Sequence, residues 1–160
     1  MNGKRILVVS DTHGSVAEVQ KALEQTGPVD YLVHLGDYVR DAEKIETFCG
    51  CPVVGVKGNC DFTSAPTTQI LTIQGQRLFL THGHQYGVKY STTRLAYAAE
   101  EAQAVAAFFG HTHLPTLEYN GGILLLNPGS LTEPRSKRRT FALVLVTMQG
   151  VFPKILELQL

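Results

Sequence analysis

Five short apolar runs in this chain each end in a small group of Asp, Asn, Gly and His residues. The runs with their endings are ILVVS before Asp11-Thr12-His13, YLVHL before Gly36-Asp37, VVGVK before Gly58-Asn59-Cys60-Asp61, LFLT before His82-Gly83-His84, and AAFF before Gly110-His111-Thr112-His113. A short continuous apolar run is typical of a buried strand. Because ligands of an open α/β sheet bind beyond the carboxyl ends of its strands, the five endings predict one shared site.

The residue types at these endings favour a metal site. Three pairs are spaced two residues apart, which places both side chains on one side of an extended backbone. The pairs are Asp11 with His13, His82 with His84, and His111 with His113. Carboxylate, imidazole and amide oxygen together suit divalent Mn, Fe or Zn. A lone Asp after a strand is more often a cap or turn residue, but five of the six histidines fall at these endings, and only His34 lies inside its run, where we interpret it as structural.

Alternating strand and helix patterns in the first half predict a parallel sheet covered by helices. The predicted strands are 5–9, 30–35 and 52–56, with helices at 15–26 and about 39–48 between them. Beyond Pro66 the patterns predict hairpins that turn at 74–76, 120–122 and 149–150, a helix at 91–106 and a strand at 106–109. We therefore expect two sheets packed face to face, with helices on the outside.

Length and charge restrict the class of protein. The chain has 160 residues, which fits one domain, and we expect a single domain over residues 1–160. Lys plus Arg and Asp plus Glu each number 14, so no global basic field favours nucleic acid or a membrane surface. No apolar run is long enough for a membrane span or a secretory signal, so the expected location is the cytoplasm.

The three cysteines are Cys49, Cys51 and Cys60, an odd number that suits a reducing compartment. None of them begins the C-x5-R pattern of a phosphatase with a cysteine nucleophile. Cys49 and Cys51 are interpreted as packing or loop residues without a role in the site.

The ordered series D-x-H, G-D, G-N-x-[DE], H-G-H and G-H-x-H, over residues 11 to 113, resembles the calcineurin-like metallophosphoesterase superfamily. The small size, the segment Gly58-Asn59-Cys60-Asp61 and the later Asn127-Pro128-Gly129-Ser130 resemble its compact bacterial and archaeal branch of YfcE-like phosphodiesterases. The resemblance implies an α/β fold, a four-layer α/β/β/α sandwich of two mixed sheets.

The resemblance also implies two divalent metal ions, with Asp37 shared between them. The first ion would take Asp11, His13, Asp37 and His113, and the second would take Asp37, Asn59, His82 and His111. Mn is the expected metal, and the ligand set also accepts Ni, Mg, Zn or Fe. The implied reaction is hydrolysis of a small phosphodiester by direct attack of a hydroxide between the ions, with Asn59 and His84 neutralising charge on the phosphoryl oxygens.

Cys60 departs from many relatives in the superfamily, which carry a His there to assist the leaving group. A thiol is a weak hydrogen-bond donor, so we expect activated diesters to be preferred over alkyl monoesters. A small packed thiol without a catalytic role is the alternative. The basic segment 134–139 could steer anionic substrates or could be a solvated hairpin tip.

Two other functions remain open from the sequence. One is a Vps29-like scaffold on the same fold that works through surface contacts without significant catalysis, although all seven ligand positions are filled here. The other is a phosphomonoesterase or nuclease, and no basic groove with stacking aromatic residues favours nucleic acid. No membrane partner is expected, and exposed hairpins leave a homodimer or higher oligomer open.

Overall fold

The computed structural model describes residues 3–13, 16–37, 40–59, 61, 65–132 and 138–159. These residues contain ten strands and three α-helices. In chain order they are β1 Lys4–Val9, α1 Ala17–Thr26, β2 Tyr31–His34, α2 Asp41–Cys49, β3 Val53–Gly55, β4 Thr68–Ile73, β5 Gln76–Thr81, a 3-10 turn His84–Tyr86, α3 Thr93–Glu101, β6 Ala106–Phe108, β7 Thr116–Asn120, β8 Ile123–Asn127, β9 Thr140–Thr147 and β10 Gly150–Glu157.

The strands form two five-stranded mixed sheets. Sheet A has the order β10-β9-β1-β2-β3, and sheet B has the order β4-β5-β6-β8-β7. In sheet A the strands β1, β2 and β3 are parallel, and the β9–β10 hairpin is added antiparallel to β1. In sheet B the strands β5, β6 and β8 are parallel, with β4 and β7 antiparallel at the two edges.

Alternation of side chains along each strand produces the layers, as a period of two requires. In β1, Ile6 and Val8 pack between the two sheets, whereas Leu7 and Val9 pack against the layer of α1 and α2. Helix α3 covers the outer face of sheet B, where Leu95 belongs to a cluster with residues of β5 and β8. The predicted α/β/β/α sandwich is thereby confirmed.

The two predicted hairpins of sheet B are also confirmed, with turn geometry that suits their sequences. Gln74 and Gly75 have φ of 52° and 80°, and Gly121 and Gly122 have φ of 60° and 83°. Two successive positive φ angles are what a two-residue type I′ turn requires, and glycine accepts them without steric cost.

One helix is shorter than predicted. The expected helix at 91–106 is α3 at Thr93–Glu101, because the chain turns at Ala102 and Gln103, where Gln103 has φ of 59°, before it enters β6. None of the described helices is long and apolar enough to cross a membrane.

The carboxyl ends of the parallel strands in both sheets meet at one edge of the sandwich. Hydrogen bonds join the sheets there: for example, the His111 backbone N–H donates to Asp11 Oδ2 over 3.3 Å, and His82 Nδ1 lies 2.8 Å from the carbonyl oxygen of Leu35. This edge carries the predicted site.

Candidate metal centre

Four of the predicted ligands form one compact group. A ligand atom from each of Asp11, His13, Asp37 and His113 lies within 4.8 Å of those of the others. The closest measured approach is 3.2 Å, between His113 Nε2 and Asp11 Oδ1. Asp11 and His13 follow β1, Asp37 follows β2, and His113 follows β6, so the group draws on both sheets.

The remaining three predicted ligands form a second group beside Asp37. His82 Nε2 lies 3.1 Å from Asn59 Oδ1 and 3.2 Å from His111 Nδ1. The same nitrogen lies 3.5 Å from Asp37 Oδ1. The structure therefore brings all seven predicted residues together, as two adjoining groups with Asp37 in contact with both.

The orientation of His82 fixes which of its nitrogens faces the site. Its Nδ1 lies 2.8 Å from the carbonyl oxygen of Leu35. A carbonyl only accepts hydrogen bonds, so Nδ1 carries the proton and donates it. The lone pair of Nε2 then points at Asn59 and His111, which is the arrangement that metal-binding histidines adopt.

The donor atoms of this centre fit divalent cations. Oδ1 of Asp11 is buried and accepts no hydrogen bond from any residue that the structure describes. Around His82 Nε2, the neighbouring acceptors are a carboxylate, an amide oxygen and an imidazole nitrogen. Buried lone pairs that face one another are costly unless a cation lies among them, and this mixture of O and N donors suits Mn, Fe or Zn.

Most of the candidate ligands have a strained backbone. Seven non-glycine residues among the described part of the chain have positive φ, and five of them are candidate ligands. These five are Asp11 (56°), His13 (48°), Asp37 (48°), His111 (70°) and His113 (60°). Such residues each cost about 1 to 3 kcal/mol and cluster at functional sites, where surrounding contacts maintain them.

Polar contacts that the sequence reasoning missed brace the loop after β1. Ser10 Oγ donates to Asp11 Oδ2 over 2.5 Å. The hydroxyls of Ser130 and Thr132 both donate to the Asp11 carbonyl oxygen, over 3.1 Å and 3.0 Å. Ser130 belongs to the segment 127–130, which follows β8 at the same edge. This position after a strand is the sequence feature from which a contact with the site could have been predicted.

Asn127 supports the loop after β6 in a similar way. Its Nδ2 donates to the Gly110 carbonyl oxygen over 3.0 Å and to Thr112 Oγ1 over 2.9 Å. Its Oδ1 accepts from the Gly129 backbone N–H over 2.9 Å. Segment 127–130 therefore supports the loops after β1 and β6, each of which carries two candidate ligands, and this gives a chemical reason for its resemblance to the family pattern.

Burial and charge separate the histidine pKa values. Burial and the charges of His82 and Lys89 lower the pKa of His111 to about 4. For His82, burial is the largest influence and lowers the pKa, but the hydrogen bond that a protonated ring donates to Asp37 and the charges of Asp11 and Asp37 together raise it above its ordinary value. Acidic groups thus surround His82, while His111 is held neutral and able to donate a lone pair.

His84 lies at the margin of the second group. Its ring centroid is 5.5 Å from that of His82 and 6.1 Å from that of His111. Its buried Nδ1 has no hydrogen-bond partner among the described residues. Burial and the neighbouring His82 lower its pKa.

Some sequence expectations fall partly outside the described residues. Cys60 is one of them, and so are positions 134–137 of the basic segment. Within that segment Arg139 is described, and its Nη1 lies 3.3 Å from Glu18 Oε1. Cys49 Sγ donates to the Cys51 carbonyl oxygen over 3.1 Å, and both residues pack on the layer of α1 and α2, consistent with a packing role.

Comparison with known proteins gives a consistent result. Residues 5–149 match the family model described as the calcineurin-like phosphoesterase superfamily domain. The chain is 36% identical over 149 residues to YsnB of Bacillus subtilis, named a probable metallophosphoesterase, covering 91% of this chain and 85% of that protein. It is 32% identical over 159 residues to the phosphodiesterase YfcE of Escherichia coli K12, covering 82% and 81%. Vps29 of Entamoeba histolytica, solved in complex with zinc, shares the fold with a TM-score of 0.75 at 21% identity, over 97% of this chain and 99% of that one.

Proposed function

The chain belongs to the calcineurin-like phosphoesterase superfamily, and from this premise we propose that it hydrolyses phosphodiesters with two divalent metal ions. The observation that carries the proposal is the meeting of seven O- and N-donor side chains from five strand ends, in two groups that adjoin at Asp37. The choice of diesters over monoesters draws on the similarity to YfcE, which is named a phosphodiesterase.

The two groups divide the seven residues between two ions. Asp11, His13, Asp37 and His113 would hold one ion, and Asp37, Asn59, His82 and His111 would hold the other. When bound, the ions would supply positive charge for the phosphoryl oxygens and would lower the pKa of the attacking water. Mn is the metal we propose first, and Zn, Ni, Mg and Fe are the alternatives to test against it.

The protein's own residues would contribute orientation and polarity. The Leu35 carbonyl holds His82 in the tautomer whose Nε2 faces the centre. Asn59 is exposed, so its amide NH2 is accessible to a phosphoryl oxygen while Oδ1 faces His82. His84, with its lowered pKa and its place beside His82 and His111, would donate a hydrogen bond to the substrate from a neutral ring.

The test is a metal titration combined with a substrate panel. We expect Mn to raise Tm by roughly 5 to 10 °C at about 100 times its Kd, since such an excess stabilises a folded protein by about 2.7 kcal/mol. Metal analysis and turnover of bis(p-nitrophenyl) phosphate and p-nitrophenyl phosphate would be measured with Mn, Ni, Mg, Zn and Fe. We expect turnover of the diester to exceed that of the monoester.

The variant Asp37→Asn removes the shared charge and leaves the size of the side chain. It should abolish the rise in Tm and lower kcat/KM by more than about 100-fold, because loss of a partner outside the coordinating atoms already costs about 10- to 100-fold. Glu101→Gln, an exposed carboxylate at the end of α3, is the matched control and should behave as the wild type. Undiminished hydrolysis by Asp37→Asn in excess metal would refute the mechanism. If the wild-type protein neither binds metal nor hydrolyses the substrates, the scaffold function is favoured instead.

A further inference from the structure

Behind the candidate metal centre lies a buried hydrogen-bond chain of three side chains, His34, Thr12 and Asp41. His34 and Thr12 are completely buried, and Asp41 is 2% exposed. Thr12 Oγ1 lies 2.8 Å from His34 Nε2 and donates a short hydrogen bond to Asp41 Oδ2. None of the three is among the seven candidate ligands.

The direction of each hydrogen bond follows from the partners. The Gly36 backbone N–H donates to His34 Nδ1 over 3.2 Å, so this nitrogen carries a lone pair. The ring proton of a neutral His34 is then on Nε2 and is donated to Thr12 Oγ1. The hydroxyl of Thr12 in turn donates its hydrogen bond to Asp41. The Asp41 carboxylate lies in the first turn of α2, where the helix dipole stabilises a negative charge.

Burial agrees with a neutral ring. It is the largest influence on His34 and lowers its pKa, against the opposing charges of Asp41, Asp11 and Asp61. A neutral imidazole can accept at Nδ1 while it donates at Nε2, whereas an imidazolium could not accept from Gly36.

This chain of hydrogen bonds joins the two loops that carry most of the strained candidate ligands. Thr12 lies between Asp11 and His13, and Gly36 immediately precedes Asp37. Those three ligands have φ of 56°, 48° and 48°, and Gly36 has φ of 97°. The Asp11 backbone N–H also donates to the Gly36 carbonyl oxygen over 2.9 Å, so the two loops are fastened to each other as well as to α2.

We propose that the buried hydrogen-bond chain positions loops 11–13 and 36–37 for metal binding. His34, Thr12 and Asp41 are positioning residues: they contact neither metal nor substrate, and they hold the backbone that presents the ligands. The inference rests on the proposed function, because it assumes that the two loops bind a divalent ion.

Thr12 is the residue at which the inference is tested, because two substitutions separate its shape from its hydroxyl. Thr12→Val keeps the shape and removes the hydroxyl, and it should weaken Mn binding about 10- to 100-fold in calorimetric titration. Thr12→Ser keeps the hydroxyl and should bind Mn with nearly the wild-type Kd. Thr147→Val, at a buried threonine whose Oγ1 accepts from the Gln149 N–H at the far end of β9, is the matched control and should also keep that Kd.

Nitrogen NMR of the metal-free protein provides a second measurement. His34 should show the neutral tautomer with the proton on Nε2, and Thr12→Val should shift that proton's resonance, while Thr147→Val should not. A His34 protonated on Nδ1, or charged at neutral pH, would overturn the inference.

The outcomes separate this inference from the proposed function. If the wild type binds Mn and Thr12→Val binds it equally well, or if Thr12→Ser loses as much affinity as Thr12→Val, the positioning role is wrong and the proposed function stands. If the wild type binds none of the five proposed metals, both are wrong. The affinities are compared at a temperature below the melting transition of every variant, because an unfolded fraction would itself lower the apparent affinity.

Discussion

At the scale of single residues, the metal centre leaves no space for a side chain at Gly58, which lies against Asp37. A Cβ at position 58 would overlap Oδ1 and the backbone N of Asp37, and it would lie 2.9 Å from Cγ of His82. The glycine following β3 is therefore required by the close approach of two candidate ligands, one from each sheet.

We predict that Gly58→Ala displaces Asp37 and weakens Mn binding by about tenfold or more, comparable to the loss of a residue that orients a ligand. Gly50→Ala is the control: φ at Gly50 is 70° and a Cβ there would meet nothing within 4 Å. That substitution should cost about 1 to 2 kcal/mol of stability through backbone strain, with Mn affinity unchanged. Calorimetric titration of both variants checks this, and wild-type affinity in Gly58→Ala would contradict it.

At the scale of elements, β6 connects the packing between the sheets to the metal centre. It is the middle strand of sheet B, between β5 and β8. Phe108 is completely buried between the sheets, and Phe109, which follows it, packs under α3. Side chains therefore pack on both faces of the chain just before Gly110 and His111, which lie at the metal centre.

Removing the Phe108 ring should therefore be costly. We expect Phe108→Ala to lower the free energy of unfolding by about 3 to 5 kcal/mol, because the ring leaves a cavity between two sheets. Phe152→Ala, on edge strand β10 where the side chain is 52% exposed, should change it by less than about 0.5 kcal/mol. Urea denaturation of the two variants measures the difference, and equal losses would show that the space between the sheets is not tightly packed.

At the scale of the whole molecule, buried neutral histidines couple stability to pH. Burial lowers the pKa of His34, so the folded state binds fewer protons than the unfolded state once the pH falls below the ordinary histidine value near 6.5. Acidification therefore removes stability that is present at higher pH. His111 acts in the same direction, with a pKa lowered to about 4, whereas His82, with its raised pKa, acts in the opposite direction.

The contribution of His34 can be isolated by comparing the wild type with His34→Gln in the metal-free state. We expect the wild type to lose more unfolding free energy between pH 7.5 and pH 5 than the variant, whatever their difference at pH 7.5. Urea denaturation at several pH values in a chelating buffer measures this. Identical pH dependence would show that His34 is not held neutral by the fold.

Much of the architecture was predictable from local patterns. Continuous apolar runs such as 31–35 predict buried strands, and a strand repeated after a helix predicts a parallel sheet. The hairpin turns at 74–75 and 121–122 were also readable, because glycine marks the positive φ angles that they need. The end of α3 was not, since Ala102 and Gln103 are compatible with a helix, and the turn there serves the entry into β6.

By itself, the sequence determined the class of fold and the groups of residues among which the candidate ligands lie, because the carboxyl ends of parallel strands share an edge and these groups follow the apolar runs. The resemblance to the family also implied how those ligands divide between two ions, and only the tertiary structure showed the contacts that hold the two groups in place. Ser130 reaches the Asp11 carbonyl across 119 positions, and His34, interpreted as merely structural, proved to join two loops through Thr12. Such contacts join residues far apart in the chain, and a hydroxyl or an imidazole has no local pattern that reveals its distant partner.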